Sequence, residues 1–169
     1  EELFNRVVKA AKGAAMGTET TVSFEVMHGN YSLMPNDTLQ KIMHKKLSAR
    51  GGITYSSKEN KFANTIYQTL LSPTAQLGDQ EKVLSYKPTH GHGSTDVGDV
   101  SWLVPTAGLR VATWVPGTSA HSWQAVAAGG TTIGLKGTKL AAEILSETAI
   151  EIYLDPSIAS KAKQELENR

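Results

Sequence analysis

The sequence predicts an α/β protein, and three stretches carry that prediction. Leu109 to Val115 is apolar on both faces apart from Arg110 and Thr113, as a central strand of a parallel sheet would be. It runs into a polar turn, Gly117-Thr118-Ser119-Ala120-His121-Ser122-Trp123-Gln124, and open α/β sheets place their ligands beyond the ends of such strands. From about Thr138 to Leu154 follows the longest helical stripe, with Leu140, Ala141, Ile144, Leu145, Ala149 and Ile152 on its inner face.

The totals agree with a folded chain. Its 169 residues suit one domain or pieces of two, and 40% hydrophobic residues can build a core. Seventeen Lys and Arg against sixteen Asp and Glu leave a formal charge of +1. No basic block interleaved with aromatics occurs, so a nucleic-acid partner is not expected. No Cys is present, which excludes disulfides and thiolate metal sites and fits a reducing, cytoplasmic setting. No apolar run reaches the length of a membrane span. The first residue is Glu and lies inside an amphipathic helical pattern, so a fragment of a longer protein is expected.

In chain order, Phe4, Val7, Val8, Ala11, Ala14 and Ala15 fall on one helical face, and Gly17 stops that helix. Residues 20 to 27 alternate, Val22, Phe24 and Val26 against Ser23 and Glu25, which predicts a half-buried strand. An irregular stretch from His28 leads to Asp37 or Thr38 as the cap of a helix carrying Leu39, Ile42, Met43 and Leu47. Arg50-Gly51-Gly52 ends it. A helix over roughly 58 to 71 buries Phe62, Ile66 and Leu70, closed by Ser72-Pro73. Residues 74 to 93 read as a long surface connection, and Val97 to Val104 as a short helix above the sheet. Ala125 to Ala128 is briefly helical before Gly129-Gly130, and Asp155-Pro156 opens a final helix with Ile158, Ala162 and Leu166.

The candidate chemistry centres on His121. A His at the end of a buried strand is held rigidly, and imidazole suits metal ligation or proton transfer near neutral pH. Upstream, Gly93-Ser94-Thr95-Asp96 either caps a helix or lets Asp96 orient a catalytic or metal-bound group; both readings fit the spacing. Asn36 is a turn residue before a helix, or an amide aimed at a substrate carboxylate. His90-Gly91-His92 sits among Gly residues and reads as solvent-exposed rather than as a metal pair. Gly129 to Thr138 is Gly-rich with Lys136, but Leu135 precedes that Lys and Gly137 follows it. The spacing fails for a phosphate loop, and the glycines are expected to allow a tight turn and close backbone approach.

Two longer blocks add a resemblance. Gly93-Ser94-Thr95-Asp96-Val97-Gly98-Asp99-Val100-Ser101-Trp102 and Gly117-Thr118-Ser119-Ala120-His121-Ser122-Trp123-Gln124, with Gly129-Gly130 and Ile133-Gly134 before a helix, resemble the C-terminal part of aminobenzoyl-glutamate utilization protein B. That family is an amidohydrolase branch of the metal-dependent carboxypeptidase and aminoacylase superfamily. The resemblance implies the C-terminal part of a zinc-exopeptidase-like α/β/α catalytic domain over residues 31–169. Residues 1–30 would then be the last helix and strand of an α+β, ferredoxin-like lid that also makes the dimer.

The same resemblance implies an activity, cleavage of the amide between an acyl or aminobenzoyl group and an amino acid such as glutamate, by water activated between two Zn or Mn ions. His121 corresponds to the last metal ligand, Asp96 to the acidic residue of the Gly-Ser-x-Asp loop, and Asn36 to the contact with the substrate's carboxylate. A homodimer or hetero-oligomer through the lid is implied as well. Two positions depart from the family: Leu135 stands where His is usual, and Ser119 where Pro is usual. Leu135 favours the rival reading, a non-catalytic assembly or binding component that keeps the fold without working metals. The remaining ligands and the catalytic Glu are expected outside this chain, so the isolated 169-residue piece is expected to be inactive.

Overall fold

The apolar stripe over residues 1 to 16 forms a helix, α1 (Glu2–Gly17), ended where the Thr18 hydroxyl donates to the carbonyl of Ala14 at 2.9 Å. The computed structural model describes residues 1–91 and 93–169, divided into two units, Glu1–Tyr31 and Ser32–Arg169. In the first unit Phe4 meets Phe24 edge to face with ring centroids 6.0 Å apart. No residue of α1 is buried. The His90–His92 pair lies partly outside the described residues, at His92.

The second unit holds α2 (Asp37–Arg50), α3 (Ser57–Tyr67), a 3₁₀ turn (Asp79–Glu81), α4 (Val97–Ser101), α5 (Trp123–Gly129), α6 (Thr132–Leu154) and α7 (Pro156–Glu167). Local sequence explains where each longer helix starts. A helix opens with backbone N–H groups that need acceptors. Asn36, Ser122 and Asp155 each offer a side-chain oxygen to one of them. Ser56 and Glu59 form a reciprocal capping box at α3. Pro156 fits the first turn of α7, where no N–H is required.

The 23-residue α6 is the hub, in contact with α2, α5 and α7. Ile133, Leu140 and Ile144 from α6 meet Met43, Ile53, Tyr55, Ala63, Ile66 and Val115 in one core. Beside it, Lys46 pairs with Glu151, and Arg50 with Glu147 and with Glu143 at 3.5 Å, linking α2 to α6. Exposed pairs of this kind contribute about 0.2–1 kcal/mol each, whereas burying one Ile side chain contributes about 1.5–3 kcal/mol. The apolar contact, more than the ion pairs, holds these helices together.

The α/β expectation is corrected by this structure. Among the described residues there are helices and no strand. Residues 20–27 and 109–115 have the composition of strands, but a strand exists only through a ladder to a neighbour about 4.8 Å away. Within the described residues neither segment has one. The 109–115 segment lies instead against α6: a β-carbon on Gly137 would stand 2.3 Å from the Ala112 carbonyl oxygen. The tight turn predicted in the Gly-rich run is confined to its start, where the N–H of Thr131 donates to the Ala128 carbonyl at 3.0 Å, because α6 begins at Thr132. The predicted close approach is present at Gly134, where a β-carbon would meet the Gly129 carbonyl oxygen at 2.1 Å. No helix among the described residues is long and apolar enough to cross a membrane.

Candidate functional site

Val115 is buried to 1% exposure and anchors the turn that follows it. The N–H of Thr118 donates back to the Val115 carbonyl at 3.1 Å. Gly117 adopts φ +83°, and a β-carbon there would press on Pro73 at 2.6 Å. The turn therefore needs Gly on two independent grounds, conformation and space.

The turn closes on α5. The Ser122 hydroxyl donates to the Ser119 carbonyl at 2.7 Å and accepts the N–H of Ala125 at 3.2 Å, capping the helix. The Gln124 amide reaches Thr69 beyond the end of α3. Between these anchors His121 has φ +58°, in the left-handed region. That conformation costs a non-Gly residue on the order of 1 kcal/mol. Strain held by surrounding contacts is a mark of functional positions.

His121 is exposed and lines an open hollow of about 500 Å³ with Trp114, Ser122, Trp123, Ala125 and Val126. The Trp114 carbonyl accepts the Tyr55 hydroxyl at 3.4 Å, which holds that wall to the core. The hollow is lined by one imidazole and two indoles. Such a surface can hold an aromatic or flat apolar group beside a nitrogen ligand or base.

Asp96 stands at the N-terminal end of α4, exposed, with no capping bond from its side chain. The local bond is made by Thr95, whose hydroxyl accepts the N–H of Val97 at 3.3 Å. The Asp96 carboxylate is thus not spent on the helix.

Asn36 is 2% exposed. Its side-chain oxygen accepts the N–H of Leu39 at 3.2 Å and its nitrogen donates to the Ala162 carbonyl at 2.9 Å. The cap predicted at Asp37 or Thr38 therefore falls one residue earlier. Neither Asp96 nor Asn36 lines the hollow around His121. Leu135 is 65% exposed on the first turn of α6.

Among the described residues no three His, Asp or Glu side chains come together as a metal site. A metal pair needs several such donors and a base for the bridging water. The described residues supply one good imidazole and do not by themselves fit the group.

Two carboxylates went unnoticed in the sequence and organise the scaffold. Lys136 hydrogen-bonds the buried Glu59 at 2.5 Å and the Thr54 carbonyl at 3.0 Å. Bonds from Lys136, from the Thr132 hydroxyl and from the N–H of Ser56 hold the Glu59 carboxyl down at about 2. The pattern Ser56-x-x-Glu59 was the available signal. Glu165 receives the N–H groups of Asp37 and Thr38 at 2.7 and 2.9 Å, at the positive end of α2. Burial pushes its pKa up, but those two N–H groups, the Thr38 hydroxyl and Arg169 outweigh it and hold it at about 2. No local pattern announces a partner 127 residues away.

No protein-family model and no solved structure matches the chain. A curated relative does: the B subunit of p-aminobenzoyl-glutamate hydrolase from Escherichia coli (strain K12), 35% identical over 98% of this chain. The chain spans 40% of the length of that relative. The resemblance carried by the two motif blocks thus extends over nearly the whole chain, which is similar to the aminobenzoyl-glutamate hydrolase B subunit.

Proposed function

We propose that this chain contributes to a metal-dependent amidohydrolase that cleaves the amide joining an acyl or aminobenzoyl group to an amino acid such as glutamate. The observation that carries the reading is His121. It is exposed, conformationally strained and locked between an apolar segment that ends in the buried Val115 and a capped helix. The name of the relative supports the substrate class.

In this reading His121 would be one nitrogen ligand of a Zn or Mn pair, and the other ligands and the base would have to come from outside the described residues. The unspent Asp96 carboxylate orients a neighbouring group of the site. Asn36 holds the entry to α2, and contact with a substrate carboxylate would require it to give up Leu39 or Ala162. The relative is named as one component of a hydrolase, which favours an assembly of more than one chain; in this reading it is a homodimer or a hetero-oligomer and works in the cytoplasm.

The test uses the full-length protein. His121→Ala is expected to lower metal content and abolish hydrolysis of aminobenzoyl-glutamate while circular dichroism stays unchanged. Full metal content and normal turnover in that variant would remove His121 from the site. A wild-type protein that binds no metal and turns over no amide would support the non-catalytic assembly reading instead.

A further inference from the structure

We propose that Ser101 is a positioning residue, whose hydroxyl ties the segment leading into α2 to the helix that begins after Asp96. This rests on the reading of Asp96 and Asn36 as parts of the site. Ser101 is the last residue of α4 and is fully buried, at 0% exposure. Both sides of its hydroxyl are used: it donates to the Gly98 carbonyl at 2.5 Å and accepts the N–H of Met34 at 2.8 Å. The neighbouring Trp102 donates its indole N–H to the Ser32 carbonyl at 2.9 Å. Two adjacent residues thereby fasten residues 32–34, just inside the second unit, to the far end of α4.

Helix α4 has five residues, and a helix that short does not hold itself together in water. Its shape depends on tertiary bonds of this kind. A shift of residues 32–36 is therefore passed to α4 and to Asp96 at its start, and a shift of the Asp96 loop is passed back. Removing the hydroxyl leaves the part-buried N–H of Met34 and the buried carbonyl of Gly98 without this partner. The loss opens both segments together, as local unfolding does in cooperative units.

The experiment is hydrogen exchange and steady-state kinetics on the full-length protein with Ser101→Ala, and with Ser101→Thr, which keeps the hydroxyl. In Ser101→Ala, amides of residues 32–36 and of 95–98 are expected to exchange several-fold faster together, with α6 unchanged. KM for aminobenzoyl-glutamate is expected to rise several-fold and to return toward wild type in Ser101→Thr. A merely structural role would lower the active fraction and leave KM where it was, and that result overturns the proposal. Faster exchange in 32–36 with no change in 95–98 overturns it too. Should Ser101→Ala not fold, Trp102→Phe tests the same link from the Ser32 end. If the wild-type protein hydrolyses no amide, the functional reading fails, and the exchange data still decide whether the two segments move together.

Discussion

Gly137 of α6 lies so close to Ala112 that a β-carbon on the helix would stand 2.3 Å from the Ala112 carbonyl oxygen and 2.8 Å from the Thr113 methyl. The contact sets how deeply residues 109–115 sit on α6, and so where Val115 enters the core and the His121 turn begins. Gly137→Ala is expected to cost about 1–3 kcal/mol through forced displacement of backbone. Gly13 offers the contrast: it lies inside α1 with nothing within 4 Å of a β-carbon. Gly13→Ala is expected to stabilise by about 0.5–1 kcal/mol through helix propensity. Urea denaturation of the two variants checks the difference in sign, and equal small effects would disprove the close approach.

His121 carries its strain in a position a glycine would occupy without cost. His121→Gly is expected to raise stability by about 1 kcal/mol, the cost of φ +58° for a residue with a side chain, while turnover is lost. A thermal melt read beside a hydrolysis assay checks this. A variant less stable than wild type would mean that the ring, and not the site, requires that backbone shape.

Asn36 binds both Leu39 and Ala162, so Asn36→Ala removes a helix cap and a tie between α2 and α7 together. A stability loss of about 1–3 kcal/mol is expected. If the amide also serves a substrate carboxylate, KM for a glutamate-containing amide rises in the folded fraction. An unchanged KM beside lowered stability would leave Asn36 as a clamp alone.

Acid should weaken the scaffold through Glu59 and Glu165. Both carboxyls are held at about 2 in the folded protein, against about 4.3 for an unfolded glutamate. Their folded-state values are depressed, so their stabilising contribution is fully present above about pH 4.3 and is lost as the pH falls toward 2. The denaturation midpoint is expected to fall steeply across that window. Glu165→Gln, which keeps the shape but removes the charge from the α2 N-terminus, should flatten the fall. A variant with the wild-type slope would show that Glu165 is not titrating in contact with α2.

Much of the helical layout could be read from the residues. Apolar spacing located α1, α2, α3 and α7, and the stretch Val97 to Val104 marked α4, which ends sooner, at Ser101, because these signals are local and survive in any context. Gly117 and His121 stood out as a turn because Gly and short polar residues after an apolar run mark a change of chain direction.

Taken by itself, the sequence determined where most of the helices lie, the Asp155-Pro156 start of α7 and the two motif blocks that carry the resemblance to the aminobenzoyl-glutamate hydrolase relative. Only the tertiary structure decided the rest. Period-2 alternation in residues 20–27 and apolarity in 109–115 say which side of a backbone is apolar, but nothing about whether another backbone lies beside it. The described residues form no strand because a ladder is a property of two segments. For the same reason the bonds of Ser101 to Met34, Glu165 to Thr38 and Lys136 to Glu59 could not be read locally. They join residues 67, 127 and 77 positions apart, and only packing around α6 brings such partners within hydrogen-bond reach.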